Sequence, residues 1–78
     1  MMQAIIYLED SEYITLCDLL KLTGLADSGG QAKAAIARGL VLRNGAVETR
    51  KTAKIRGGEV IEFNGATLEI EDGYDPEN

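Results

Sequence analysis

The chain has 78 residues, of which 45% are apolar, three are tyrosine, one is phenylalanine and none is histidine. That length allows one small domain and excludes a multidomain enzyme. The single Cys17 cannot form an internal disulfide, and without histidine it has no partner for a thiol–imidazole pair or a zinc site. No apolar run approaches the ~18 residues of a membrane span, and the start lacks the basic region of a signal peptide, so we expect a cytoplasmic protein with no membrane partner.

The net charge of −5 hides a segregated distribution. All eight lysines and arginines lie within residues 21–56, where only Asp27 and Glu48 oppose them. The remaining acidic residues lie outside that window, with no basic residue among them. Such segregation predicts a strongly positive face, and therefore an anionic partner, despite the acidic total.

The first half of the chain predicts a strand and two helices. Gln3–Leu8 is rich in strand-forming residues and is followed by a polar turn. Tyr13–Thr23 predicts a helix ended by Gly24, because apolar residues recur at helical spacing. The residues that set this spacing are Leu16, Leu19, Leu20 and Thr23.

A second helix is expected from Gly29 to Arg38, ending at Gly39. Ser28 is a favourable N-cap, and Gln31 occupies the fourth position of a Ser-x-x-Gln capping box. The inner face of this helix contains Ala32, Ala35, Ile36 and Gly39. The outer face contains Lys33, Ala34, Ala37 and Arg38, and we interpret it as a contact surface.

The second half predicts two β-hairpins. Asn44-Gly45 and Asn64-Gly65 each separate two strand-forming runs, which is typical of type I′ turns. The segment between the hairpins, RKTAKIRGG, supplies four cations. The predicted fold class is α+β: two packed helices against a small, mainly antiparallel sheet of two hairpins plus an N-terminal strand. We expect one domain over residues 1–71 and a disordered acidic tail over 72–78.

Nucleotide-binding and catalytic motifs are missing. Neither the P-loop nor the Rossmann spacing surrounds Gly29-Gly30, and a helix instead of a strand precedes them. The carboxylate pairs Glu9/Asp10 and Glu71/Asp72 have no histidine or other orienting group. We therefore expect a non-catalytic protein without a cofactor.

The cation-rich window favours a nucleic-acid backbone over a compact ligand. The first turn of the second helix can offer N–H groups to a phosphate, and Gly29-Gly30 leave room for its approach, although they could equally form a flexible helix entry. Cations spread over that helix and the neighbouring hairpin suit a sugar–phosphate chain. The few aromatic residues form no interleaved platform, with core roles expected for Tyr7 and Phe63, so readout of single strands by stacking is disfavoured.

The order of these motifs resembles the S4 RNA-binding domain, and in particular small stand-alone bacterial members of that family. The resemblance covers residues 13–63 and rests on three groups of residues. They are Leu19-Leu20; Ser28 and Ala32 with Ile36, Gly39, Val41 and Asn44-Gly45; and Gly58-Glu59-Val60-Ile61.

The resemblance implies an L-shaped pair of helices, the αL motif, that binds structured RNA such as ribosomal or transfer RNA. By position, its contacts would include Ser28, Lys33, Arg38, Arg50, Lys51 and Lys54. From the cation distribution and the glycine-rich helix start we add Gly29, Gly30, Arg43 and Arg56. We expect a monomer that binds ribosomal RNA and associates with the ribosome.

The chain departs from the family pattern at several positions. Gly29 stands where an arginine is usual, which removes a phosphate-binding fork. Arg43 replaces a usual core valine, while Leu40 and Leu42 occupy positions that are usually polar, so the faces of the first hairpin are expected to be repartitioned. The alternative function is a ribosome-associated protein-interaction module that uses an apolar Leu40/Leu42 patch.

Overall fold

The computed structural model describes residues 2–73; most of the predicted acidic tail, residues 74–78, lies outside that range. Two helices, α1 (Leu16–Leu22) and α2 (Gly29–Ala37), pack together and against a mixed sheet. Within the described range, neither helix is long and apolar enough to cross a membrane. The predicted α+β class is confirmed.

Five strands form the main sheet in the order β1-β7-β6-β3-β4. Their bounds are Met2–Tyr7 for β1, Leu42–Arg43 for β3, Ala46–Val47 for β4, Val60–Phe63 for β6 and Ala66–Glu71 for β7. All neighbouring pairs are antiparallel except β1 and β7, which are parallel with Ala4 opposite Leu68. The two predicted hairpins are therefore both present, and β3 joins β6 to make them one sheet.

The two Asn-Gly turns have the predicted left-handed backbone. The φ angles are +52° at Asn44 and +85° at Gly45, and +52° at Asn64 and +81° at Gly65. A type I′ turn requires positive φ at both central positions, which asparagine tolerates and glycine favours. The local sequence alone therefore specifies both turns.

The first helix is shorter than the sequence predicts. Ile14–Thr15 forms β2, which pairs antiparallel with β5 (Lys54–Ile55), so α1 begins at Leu16 instead of Tyr13. The N–H groups of Leu16 and Cys17 donate to the carbonyls of Ala53 and Lys51 at 2.9 and 3.1 Å. The first turn of α1 is thus held by a distant loop, a partner that helical periodicity does not reveal.

The second helix follows its prediction closely. The Ser28 hydroxyl accepts a hydrogen bond from the Gln31 N–H at 3.2 Å, as expected for an N-cap. The Gln31 side chain accepts from the Asp27 N–H at 3.1 Å instead of from Ser28, so the reciprocal half of the capping box is shifted by one residue. Arg38 is the C-cap, and Gly39 follows with φ +76°.

The core lies between the helices and the inner face of the sheet. Its fully buried members include Leu16, Leu19 and Leu20 of α1, Ala32 and Ile36 of α2, Val41, Ile55, Ile61, Leu68 and Ile70. Cys17 is buried, and Phe63 packs against this core. The predicted core role of Tyr7 is wrong. Tyr7 is 42% exposed, because it lies on the outer face of β1.

Candidate functional site

Cationic side chains from three parts of the chain meet around one open groove of about 730 Å³. Lys33 comes from α2, Arg43 from β3, and the rest from the segment that follows the first hairpin. The lining residues are Lys33, Arg43, Arg50, Lys51, Thr52, Ala53 and Lys54. Five of the predicted contact residues are therefore brought together.

The groove is held in shape by the backbone contacts at the start of α1. The carbonyls of Lys51 and Ala53 accept the first N–H groups of that helix, and Ala53 is buried in the core. Lys54 then enters β5 beside Thr15. Because both ends of this short segment are fixed, its exposed side chains are displayed from a rigid element instead of a free loop.

Arg43, which lines the groove, is also the centre of an ion-pair network. Its Nε and Nη2 donate to the two carboxylate oxygens of Glu59 at 2.6 and 3.1 Å. Its Nη1 donates to Glu48 at 3.0 Å, and Nη2 also donates to the Lys54 carbonyl at 3.0 Å. The Arg43 side chain is only 22% exposed, so this guanidinium ties the hairpin to the basic segment.

The same network explains the unusual pattern of the first hairpin. Val41 is fully buried, whereas Leu42 is half-buried and Leu40 is exposed. Arg43 replaces an apolar core contact by charged hydrogen bonds to Glu48 and Glu59. Arg43 donates to both carboxylate oxygens of Glu59, and Arg50 donates to both carboxylate oxygens of Glu48.

Glu48 joins Arg50 to this network. Its Oε2 accepts from the Arg50 N–H and Nε at 3.1 and 3.0 Å, and its Oε1 accepts from Arg50 Nη2 at 3.0 Å. These hydrogen bonds, together with those from Arg43, lower the pKa of Glu48 from 4.5 to about 2 against the opposing effect of burial. Glu48 is therefore ionised at neutral pH.

Glu59 is the second anchor of the network. Hydrogen bonds from the Arg43 guanidinium lower the pKa of Glu59, and the Arg56 N–H and Asn44 amide add to the effect at 2.7 and 3.1 Å. Glu59 in turn raises the pKa of Arg43. Sequence reasoning identified neither acid as part of the site, although the position of Glu48 among cations was the available signal.

The groove keeps unopposed positive charge despite these pairs. In the described range, Lys33, Lys51 and Lys54 form no salt bridge, whereas Arg43 and Arg50 share Glu48. The three lysines are exposed and come from α2 and from the segment that caps α1. Exposed, unpaired ammonium groups beside ion-paired guanidinium groups suit a polyanion.

The other predicted contacts lie outside the groove lining. Ser28, Gly29 and Gly30 form the start of α2, where a Cβ added at Gly29 would meet no atom within 4 Å. Arg38 is exposed at the opposite end of α2. The Arg56 guanidinium carbon lies 5.7 Å from the centre of the Tyr13 ring.

Comparison with known proteins identifies the family. The sequence profile of the S4 domain matches residues 6–71. The chain belongs to the S4 domain family. The resemblance noted from its motifs is thus confirmed, and the match extends from β1 to β7, beyond the residues 13–63 on which that resemblance depended.

Three comparisons place the chain within the S4 domain family. "Putative RNA-binding protein YbcJ" of Escherichia coli is 52% identical over 58 residues, which are 74% of this chain and 83% of YbcJ. "Probable ribosome maturation protein RlbA" of Bacillus subtilis is 39% identical over 56 residues, 72% of this chain and 79% of RlbA. The solution structure of E. coli YbcJ superposes with a TM-score of 0.67 and 46% identity, covering 86% of this chain and 85% of that one. That structure was described as revealing an αL motif involved in RNA binding.

Proposed function

We propose that this S4 domain is a non-catalytic module that binds structured RNA through its phosphate backbone. The single observation that carries the proposal is the groove in which Lys33 of α2 meets Arg43, Arg50, Lys51 and Lys54. Two observations support RNA as the polyanion. YbcJ is named a "putative RNA-binding protein", and its structure is described as containing an αL motif involved in RNA binding. The S4 domain family to which the chain belongs agrees with this partner.

The form of the groove favours a chain of phosphates over a small ligand. It is open, and its five cations come from α2, from β3 and from the segment that follows the first hairpin. Glu48 and Glu59, the acids that pair with the arginines of the groove, are engaged and are not available as general bases. No group of three or more potential metal ligands occurs between residues 2 and 73. These features support binding without chemistry.

The finer features of the proposal are a ribosomal RNA target and association with the ribosome in the cytoplasm. The name of RlbA, a relative described as a ribosome maturation protein, supports this direction. We further propose that residues 1–71 act as one RNA-binding domain, as a monomer and without a cofactor.

The test is the salt dependence of RNA affinity. Fluorescence anisotropy with a folded transfer RNA, and with single-stranded poly(U) of equal length, would be measured across ~50–200 mM salt. Lys33→Ala combined with Lys51→Ala is expected to weaken binding and to flatten the log–log salt slope by about one unit for each phosphate that is no longer neutralised. Lys21→Ala, an exposed lysine of α1 outside the groove, is the matched control.

Two results would refute the proposal. One is an unchanged affinity and slope in the double variant, because phosphate contacts cannot be removed without releasing fewer counterions. The other is an equal weakening by Lys21→Ala, which would show that total charge matters and the groove does not. Cosedimentation of the protein with purified ribosomal subunits, abolished in the same double variant, tests the ribosomal target.

A second candidate function is docking of a protein partner beside the basic face. Leu40 is 49% exposed, and it borders a hollow of about 260 Å³ that Leu42, Phe63 and Ala66 also line. An apolar patch of this kind predicts an association that resists salt. Leu40→Asp is expected to abolish a salt-resistant pull-down while leaving RNA affinity unchanged; a pull-down that disappears with salt contradicts this second function.

A further inference from the structure

Tyr13 is an exposed aromatic residue whose ring contacts Lys54, one of the residues that line the basic groove. Its residue is 38% exposed, and its ring centre lies 5.1 Å from Lys54 Nζ and 5.7 Å from the Arg56 guanidinium carbon. Lys54 also lines the groove. A cation at this distance is attracted by the ring, so the pairing fixes Tyr13 next to the proposed phosphate path.

The hollow beside Tyr13 is lined by negatively charged side chains, whereas the groove is lined by positively charged ones. Its volume is about 480 Å³, and it is lined by Ser11, Glu12, Tyr13, Ile14, Thr15 and Asp18. Glu12 and Asp18 are exposed carboxylates that form no salt bridge in the described range, and no cation lines the hollow. These carboxylates repel phosphate but accept hydrogen bonds from amino groups. The size lies within the ~300–1,000 Å³ typical of small-ligand sites.

We infer that the hollow at Tyr13 binds one unpaired nucleobase of the RNA whose backbone lies in the groove, with the base stacked on the Tyr13 ring. This inference rests on the proposed function. An aromatic ring next to cations binds a base through stacking, while the neighbouring lysines hold the adjoining phosphates. Lys54 connects the two subsites, because it contacts the ring and lines the groove.

The carboxylates further select the base. At position 4 cytosine presents an amino group, which can donate to Glu12 or Asp18, whereas uracil presents a carbonyl oxygen there and keeps only its N3–H as a donor. The uracil carbonyl oxygen at position 4 is repelled by the two carboxylates. The site is therefore selective for an unpaired amino-bearing base, in an RNA that is otherwise folded.

The experiment compares two RNA hairpins with identical phosphates. One carries a single unpaired cytidine in its stem, and the other carries an abasic ribose at the same position. By fluorescence anisotropy, the unaltered protein is expected to bind the cytidine hairpin at least about 5-fold more tightly. Tyr13→Leu is expected to bind both hairpins equally, with an unchanged salt slope, whereas Tyr13→Phe keeps the preference because it keeps the ring.

Controls separate this inference from the proposed function. Lys33→Ala is expected to weaken binding of both hairpins alike, and the NMR spectrum of Tyr13→Leu shows whether its fold is intact. Salt-dependent binding that does not distinguish the hairpins would overturn the stacking site and leave the proposed function standing. Failure to bind either hairpin at low salt would overturn both.

Base selectivity is tested by replacing the unpaired cytidine with uridine. The unaltered protein is expected to prefer cytidine by about 5-fold or more, and Glu12→Gln combined with Asp18→Asn is expected to abolish that preference, because an amide can donate as well as accept. Equal binding of cytidine and uridine by the unaltered protein would overturn the assigned role of the two carboxylates.

Discussion

Glu48→Gln tests whether the carboxylate that pairs with Arg43 and Arg50 stabilises the fold by its charge. Hydrogen bonds from Arg50, and then from Arg43, lower the pKa of Glu48 from 4.5 to about 2. A fall of this size corresponds to about 3.5 kcal/mol at ~1.4 kcal/mol per pKa unit. Since the Arg50 side chain is 72% exposed, solvent and salt weaken the Glu48–Arg50 pair. We therefore expect Glu48→Gln to reduce the free energy of unfolding by about 1–2 kcal/mol.

The dependence on pH has a defined sign. A carboxyl group with a lowered pKa in the folded state stabilises the protein fully above its unfolded value of 4.5. That contribution is lost as the pH falls toward about 2, where Glu48 becomes protonated in the folded state as well. Glu48→Gln is therefore expected to reduce the free energy of unfolding by about 1–2 kcal/mol at neutral pH, and by almost nothing near the bottom of this range.

Urea denaturation followed by circular dichroism, repeated between neutral pH and about pH 2, measures this difference. Glu62→Gln is the control, because Glu62 is exposed on β6 and forms no ion pair among residues 2–73. A destabilisation by Glu48→Gln that stays constant over the whole pH range would refute the electrostatic explanation. So would an unaltered stability at neutral pH.

Four other substitutions test the fold and the site. Ile36→Ala, at a fully buried position of α2, is expected to lower the free energy of unfolding by about 2–5 kcal/mol in urea denaturation, and a decrease below ~1 kcal/mol would contradict its core role. Ser28→Ala is expected to cost about 1 kcal/mol in the same assay, because the Gln31 N–H loses its acceptor. Gly45→Ala, at φ +85°, is expected to cost about 1 kcal/mol or more, and an unchanged denaturation midpoint would contradict the turn assignment. Gly29→Arg, in open space at the start of α2, is expected to raise RNA affinity and to steepen the salt slope by about one unit; an unchanged slope would show that α2 begins away from the RNA.

The local elements were predictable because their signals lie within a few residues. Asn44-Gly45 and Asn64-Gly65 specify their own turns through the backbone angles that they tolerate. Ser28 specifies the start of α2 through a hydrogen bond that spans three residues. The S4 family was also recognisable at this level, because its motif consists of such local elements in a fixed order.

The boundaries of α1 and the pairing of β1 required the tertiary structure. Helical periodicity continues through Ile14–Thr15, but these residues pair with Lys54–Ile55, and this distant pairing overrides the local preference. Likewise, nothing in Met2–Tyr7 indicates a parallel partner in β7, near the other end of the chain. Contacts between distant segments depend on the packing of the whole core, which periodicity does not encode.

The sequence by itself determined that the cations are concentrated in one window, and this distribution predicted an anionic partner. Only the tertiary structure decided what each cation does. Arg43, a predicted RNA contact, lines the groove and is also engaged by Glu48 and Glu59, while Lys54 approaches Tyr13. The position of each charge along the chain is set by the sequence, whereas the partner of each charge depends on which distant side chains the fold brings within hydrogen-bond distance.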